Sequence, residues 1–363
     1  MVDVIYSVFP FLAMLVGLIV FHELGHYITA KIFKVKVLEA GLGYPPRIWG
    51  FTWKGTLYSI NWLPLGGFVR LLGEEDPSHP ESLAAQAAWK RLIVLGAGSG
   101  MNFILPVMLF AIAFMIPRQV PVGPAVIQVV ERGSPAAEAG LQPGDTILEL
   151  NGEAVKNTQE VGRLIRLNMG DVITFKVKRQ VLGSVGATEV LELAVKARWA
   201  PPAGQGPTGI VIANRYPQFH DTESYPPWEA IPKGWMATWD SLILARNQIV
   251  AMFHGGSGPD VAGPVGIAQA TGEVVKESGW QTLLDFAALL SINLAIINIL
   301  PLPMLDGGRI AFVLLEVARG GKRIAPEKEA IVHLVGLALI ITMAVVVTYF
   351  DIIRIISGHS LFE

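Results

Sequence analysis

Apolar positions along this chain follow two patterns. In four stretches they run on without alternation: 4–33, 92–117, 286–305 and 331–350. Each is long enough to cross roughly 30 Å of hydrocarbon, which takes about 20 residues. Residues 4–21 and 92–117 carry no charge at all. Over 120–216 the pattern changes to short β-like runs, AVIQVV, TILELNG, VITFKVKRQ and EVLELAVKAR, bounded by Gly, Pro, Asn and Asp. These predict strands of one inserted β-rich domain. The Pro-rich SYPPWEAIP (224–232) ends it. WMATWDSLILARNQIVAMF (235–253) places Asp240 and Arg246 among apolar residues and predicts an amphipathic helix at the membrane interface, a fifth span being costlier. GGSGPDVAGPVGIAQA (255–270) predicts a Gly-rich loop into the third span. Residues 41–72 alternate aromatic and apolar side chains around Gly and Pro. They are too interrupted for a helical span and too apolar for an ordinary loop, so they predict a membrane-reentrant β-hairpin. The expected fold is a polytopic α-helical membrane protein with four transmembrane helices, divided at 1–119, 120–216, 217–280 and 281–363.

Composition agrees. The 363 residues are 52% hydrophobic and 16% charged, with mean hydropathy +0.48, whereas a soluble domain carries about 25% charged residues. A net charge of −2 gives no footprint for nucleic acid. The absence of cysteine excludes disulfides, Cys-ligated zinc and Cys nucleophiles. The N-terminus has no basic region and no small-residue cleavage site, so the first apolar run is expected to be retained.

Charge asymmetry sets an expected orientation. Lys31, Lys34, Lys36, Arg47, Lys54, Arg70, Lys90 and Arg91 lie between spans one and two, and Arg309, Arg319, Lys322, Arg323 and Lys328 between spans three and four. The N-terminal tail has no Lys or Arg and the C-terminal tail only Arg354. Both basic loops are expected in the cytoplasm, with the termini and the inserted domain outside.

The first span ends in a sequence that lipid alone does not explain: HELGH (22–26). On a helix, His22 and His26 project from one face a turn apart, and Glu23 can reach a metal-bound water without itself coordinating. Ionisable groups at membrane depth are costly and usually face a cavity. A catalytic zinc site takes three protein ligands and keeps one open position. Asp306, in NILPLPMLDGG (298–308), is the candidate third ligand, brought to the same side by span three; on the residues alone it is equally a helix cap. Two prolines there break the helix, and such backbone is tolerated only against protein or water.

HELGH in a first span and NILPLPMLDGG in a late one resemble the site-2 protease family of intramembrane zinc metalloproteases, in its bacterial branch for regulated intramembrane proteolysis. LPLGGFVRLLGE (63–74) is similar to the family's reentrant hairpin, GAGSGMNF (96–103) to its second-span Gly/Asn motif, and AGPVGIA (262–268) to the segment before its third core span. ERGSPAAEAGLQPGDTILELNGEAV (131–155) resembles a PDZ domain, with TQEVGRLIR (158–166) as the helix beside the peptide groove and TGIVIAN (208–214) as the groove strand. One PDZ pattern is present where many relatives carry two in tandem.

The resemblance implies one catalytic Zn2+ on His22, His26 and Asp306, with Glu23 as general base. It implies that Asn298 contacts substrate or the developing oxyanion, although a packing role fits the residue too. Asn102 is open between packing and function. Gly66 and Gly67 would let a substrate strand approach the hairpin. Gly209, Ile210, Val211 and Ile212 would line the PDZ groove. His333 lies outside these motifs and reads as packing or interfacial. The implied substrates are single-span membrane proteins, such as anti-sigma factors or remnant signal peptides, already trimmed by a site-1-type protease. The implied location is a bacterial inner membrane. The rival readings are a PDZ membrane adaptor with a structural metal and a zinc transporter, for which span four offers only His333.

Overall fold

The computed structural model describes residues 2–181, 187–215, 220–256 and 262–358. In chain order the elements are α1 (Val2–Ile32), β1 (Val37–Trp53), β2 (Thr56–Leu71), α2 (Ala88–Met115), β3 (Arg118–Pro121), β4 (Ala125–Val130), α3 (Pro135–Glu138), β5 (Thr146–Leu150) and β6 (Glu153–Ala154). There follow α4 (Thr158–Leu167), β7 (Val172–Gln180), β8 (Thr188–Lys196), β9 (Ile210–Asn214), β10 (His220–Glu223), α5 (Pro227–Phe253), α6 (Pro264–Ile299), α7 (Asp306–Ala318) and α8 (Pro326–Ile356). They form two compact units, one of residues 1–113, 228–238 and 261–363, the other of 114–227 and 239–260.

In the first unit, four helical stretches are long and apolar enough to cross a membrane: Val8–Ile32, Ala88–Met115, Gly279–Ile299 and Glu327–Ile356. The third departs from the expected 286–305. Pro301 has no N–H to give and forces Leu300 into an extended conformation (φ −63°, ψ 143°), so the helix stops at Ile299. At its other end α6 reaches back to Pro264, with a non-helical break at Gly279 (φ 78°). Much of the stretch expected as a loop over 255–270 and a linker up to 280 is therefore helix, while 257–261 lie outside the described residues. Pro264 occupies the first turn, where proline costs no hydrogen bond. The buried Asp351 of α8 accepts the Gly263 and Gly266 backbone N–H groups there, at 2.9 and 2.8 Å, which favours the start of the helix as a carboxylate at an N-terminus does.

β1 and β2 turn at Lys54 and Gly55, both in the left-handed region (φ 48° and 76°), as a two-residue hairpin turn requires. Both strands fold back on themselves. Residues 39–42 pair with 67–70 on one side and with 57–60 on the other, and 49–53 pair outside 56–60. The 67–71 segment is thereby an edge. Ala30, Val35, Val37, Leu71, Val94, Leu95 and Val313 are buried together, tying the end of α1 and the hairpin to α2 and α7.

The second unit holds a sheet in the order β8-β7-β5-β4-β9, with β6 on β5. Strand alternation explains its core: in β7, Ile173, Phe175 and Val177 are fully buried while the residues between them are not. Ser134 caps α3 and Asn157 caps α4, each accepting a backbone N–H three residues on. The helix expected at 235–253 is longer, beginning at Pro227 in its first turn. Its two awkward charges are satisfied by protein. Asp240 pairs with Arg163 of α4, and Arg246 donates to Asn247, which donates in turn to the Arg166 and Leu167 carbonyls.

Candidate metal centre

On α1 the rings of His22 and His26 lie 4.9 Å apart, nearly edge to face. The Nδ1–H of His26 donates to the Val94 carbonyl of α2 at 2.8 Å, which turns its Nε2 inward. The Nδ1 of His22 faces the Asn102 side-chain amide at 3.3 Å, and its Nε2 also turns inward. Asp306, in the first turn of α7, completes the cluster. Its Oδ2 lies 3.2 Å from His22 Nε2 and 3.3 Å from His26 Nε2, and the two nitrogens are 3.2 Å apart.

This triangle fits zinc on geometry and on electrons. Ligands about 2.0 Å from the centre of a tetrahedron are separated by about 3.3 Å. With Nδ1 carrying the hydrogen, each neutral imidazole points a lone pair inward, and the buried Oδ2 has no hydrogen-bond donor. Three acceptors held this close repel one another unless a cation sits among them. Two imidazoles and one carboxylate also match the donor set of catalytic zinc sites. The side chains are 12%, 11% and 17% exposed, so the group is largely desolvated but reachable from one side.

Close backbone packing makes room for the rings. A Cβ on Gly98 of α2 would collide with both imidazoles, and one on Gly25 would strike Ala97. Small residues at a crossing let two membrane helices approach this way. Beside the cluster, Glu23 lines a mostly apolar cleft of about 630 Å³ shared with Tyr27, Trp49, Tyr58, Gly67 and Phe68. The Val69 backbone N–H faces its carboxylate from the hairpin edge. A Cβ on Gly67 would come within 3.5 Å of Glu23 Cγ and 3.1 Å of Ile19, so glycine lets β2 lie against this face of α1.

The model of peptidase family M50 matches residues 10–343. The chain belongs to this family. A protein of Agrobacterium fabrum provisionally named as a zinc metalloprotease is 31% identical over 96% of both chains. The zinc metalloprotease RasP of Oceanobacillus iheyensis is 29% identical over 96% of this chain and 99% of its own, and that of Geobacillus kaustophilus 27% over 97% and 99%. This M50 peptidase is thus a zinc metalloendopeptidase of the site-2 protease family, and its apolar helices make it a membrane protein. The enzyme class stands over the adaptor and the transporter.

The other expected site residues are placed unevenly. Asn102 sits against His22. Its Oδ1 has no partner, and turning the amide end for end presents that oxygen to the imidazole Nδ1–H, the hydrogen bond that keeps Nε2 free. Asn298, one residue before the end of α6, is half-buried, and its side chain makes no hydrogen bond with any described residue. Gly66 (φ 146°) lies against the Tyr44 ring, where a Cβ would come within 2.7 Å. In the second unit, Ile210, Val211 and Ile212 lie on β9, at the edge of its sheet. Gly209 differs from the rest: it is buried against Ser134, and its carbonyl accepts the Glu131 N–H. Sequence reasoning did not single out Gly98, Gly25 or the Val94 carbonyl. Gly98 does lie in the small-residue run GAGSG (96–100) of the second-span motif, and Gly25 within HELGH.

Proposed function

We propose that this M50 peptidase cleaves single-span membrane proteins within the bilayer, near its cytoplasmic face. The observation that carries the reading is the His22–His26–Asp306 triangle, its histidines on a helix apolar enough to cross a membrane and its carboxylate at the start of the short α7, with Glu23 opening onto the cleft beside it. A transmembrane helix hides its peptide bonds, so a substrate must be unwound before water reaches a carbonyl. The reentrant hairpin offers the means, since the 67–71 edge can take an extended segment by main-chain hydrogen bonds independent of sequence. Gly66 and Gly67 allow the close approach, and Asn298 and Asn102 hold the strand or the site.

Zinc on His22, His26 and Asp306 supplies a lowered water pKa and a polarised scissile carbonyl. Glu23 takes one proton from the attacking water as its oxygen bonds to the carbonyl carbon, then returns it to the amide nitrogen as the C–N bond breaks. The carboxyl end loses the remaining water proton to solvent, the other end leaves as an amine, and Glu23 is regenerated.

Residues 120–216 act as an external PDZ domain. The order of strands and helices, the edge strand β9 and the neighbouring helix α4 support this. The domain docks substrates or excludes those with bulky ectodomains, so that cleavage follows a site-1-type protease. The bacterial relatives and the charge asymmetry support an inner-membrane location with the termini outside. The substrates proposed are anti-sigma factors or remnant signal peptides. The test is Glu23→Gln against the parent on a reconstituted model single-span substrate, with zinc measured in both. Zinc retained at the parent's level with cleavage lost is the expected result. Unchanged cleavage would sink the mechanism.

A further inference from the structure

We propose that His333 of α8 is a positioning residue for the loop that delivers Asp306: its Nδ1 accepts the Met304 backbone N–H and holds the turn that aims the carboxylate at His22 and His26. The inference rests on Asp306 as a zinc ligand in the reading above.

The loop between α6 and α7 is six residues, 300–305, and has little to hold its own shape. Its internal backbone hydrogen bonds are Leu302 N–H to Leu300 at 2.7 Å and Leu305 N–H to Leu302 at 3.3 Å. Met304, two residues before Asp306, is in the left-handed region (φ 71°), where residues with a side chain are rarely found. Such a conformation persists when the surroundings over-determine it. Here α8 does so from two points a turn apart. The buried His333 accepts the Met304 N–H at 2.9 Å, the sole side-chain hydrogen bond to the 300–305 backbone among the described residues. Gly336 lies against Pro303, where a Cβ would come within 2.9 Å of Cγ and closer still to Cβ.

The tautomer follows from the hydrogen bond. To accept at Nδ1 the imidazole must carry its hydrogen on Nε2, which is buried without a hydrogen-bond partner and stands 3.8 Å from the Glu329 carboxylate one turn earlier. The ring also packs 5.5 Å from Phe312 of α7. A packing role asks only for a flat apolar ring at 333. The hydrogen bond asks for an acceptor at one atom, and the two requirements can be separated.

The experiment uses the full chain in detergent, stripped of metal. It measures zinc affinity by chelator competition and the visible spectrum of the cobalt-loaded protein, with folding followed by circular dichroism. His333→Phe keeps the ring and removes the acceptor; His333→Asn puts a carbonyl oxygen where Nδ1 stands. Phe is expected to weaken zinc about 10-fold, as loss of an outer contact to a ligand does, and to shift the cobalt bands; Asn is expected to stay within about twofold of the parent. Should the Phe variant not fold, His333→Gln replaces it, because its amide reaches toward Nε2 rather than Nδ1 and is expected to weaken zinc likewise. Parent-like affinity in the acceptor-less variant, or equal weakening by Asn, overturns the proposal. Asp306→Ala runs alongside. If it too binds zinc like the parent, the ligand reading itself has failed; if it alone loses zinc, only the role of His333 has.

Discussion

The two halves of the candidate metal centre are held in different ways. His22 and His26 sit four residues apart on an unbroken helix, and their spacing follows from helical geometry alone. Asp306 stands after a helix end, two prolines and a left-handed turn, and its position is assembled from contacts made far along the chain. Glu74 pairs with Arg309, Arg91 and Arg323 pair with Glu316 of α7, and His333 holds Met304. The helix half resists small disturbances because backbone hydrogen bonds maintain it. The loop half is tunable because each of several outside contacts carries part of the alignment.

The largest effect should come from the helix half. His26→Ala removes a proposed ligand and leaves the Val94 carbonyl without its donor, so zinc affinity should fall by more than the roughly 100-fold that loss of an outer contact can cost. Metal analysis after dialysis against a chelator reads this directly. Next is Gly98→Ala, which adds one methyl group where both imidazoles lie. Overpacking of this kind costs about 1–3 kcal/mol, and we expect most of it as a 10- to 100-fold loss of zinc affinity with the helical circular dichroism unchanged. A parent-like affinity would mean that the α1–α2 crossing is looser than its geometry indicates.

The smallest effect belongs to the loop half. Partial burial pushes the Glu316 carboxyl up, but hydrogen bonds from Arg91 and Arg323 outweigh it and hold the pKa below the ordinary value of 4.5. A carboxylate depressed in the folded state adds stability above its unfolded pKa and loses it as pH falls through the folded value. Glu316→Gln should therefore lower the melting temperature near neutral pH, by an amount worth about 1 kcal/mol or less. The gap to the parent should close as pH drops below about 4. A gap that stays constant with pH would assign the stabilisation to packing instead.

This division also marks what could be read from the sequence. HELGH is local, and so are the β-like run VITFKVKRQ and the helix TQEVGRLIR; each forms within its own stretch. Element ends were less legible where tertiary contacts decide them. Asp351, some 88 positions from Gly263, helps start α6 at Pro264, and a proline in a Gly-rich stretch is a helix start only with such a partner. The fold-back of the hairpin depends on pairings between residues about 30 apart, so the edge at 67–71 is not evident from aromatic alternation. His333 looked like an isolated polar residue because its partner is a backbone N–H, which leaves no trace in the sequence.

Zinc K-edge absorption spectroscopy of the purified full chain, parent and Asp306→Ala side by side, tests the central claim most directly. The account predicts one zinc per parent chain, bound by two imidazoles and light oxygen ligands at about 2.0 Å. In the variant it predicts loss of the metal, or one protein oxygen fewer around what remains. A variant that keeps full zinc with an unchanged spectrum would show that Asp306 does not close the site.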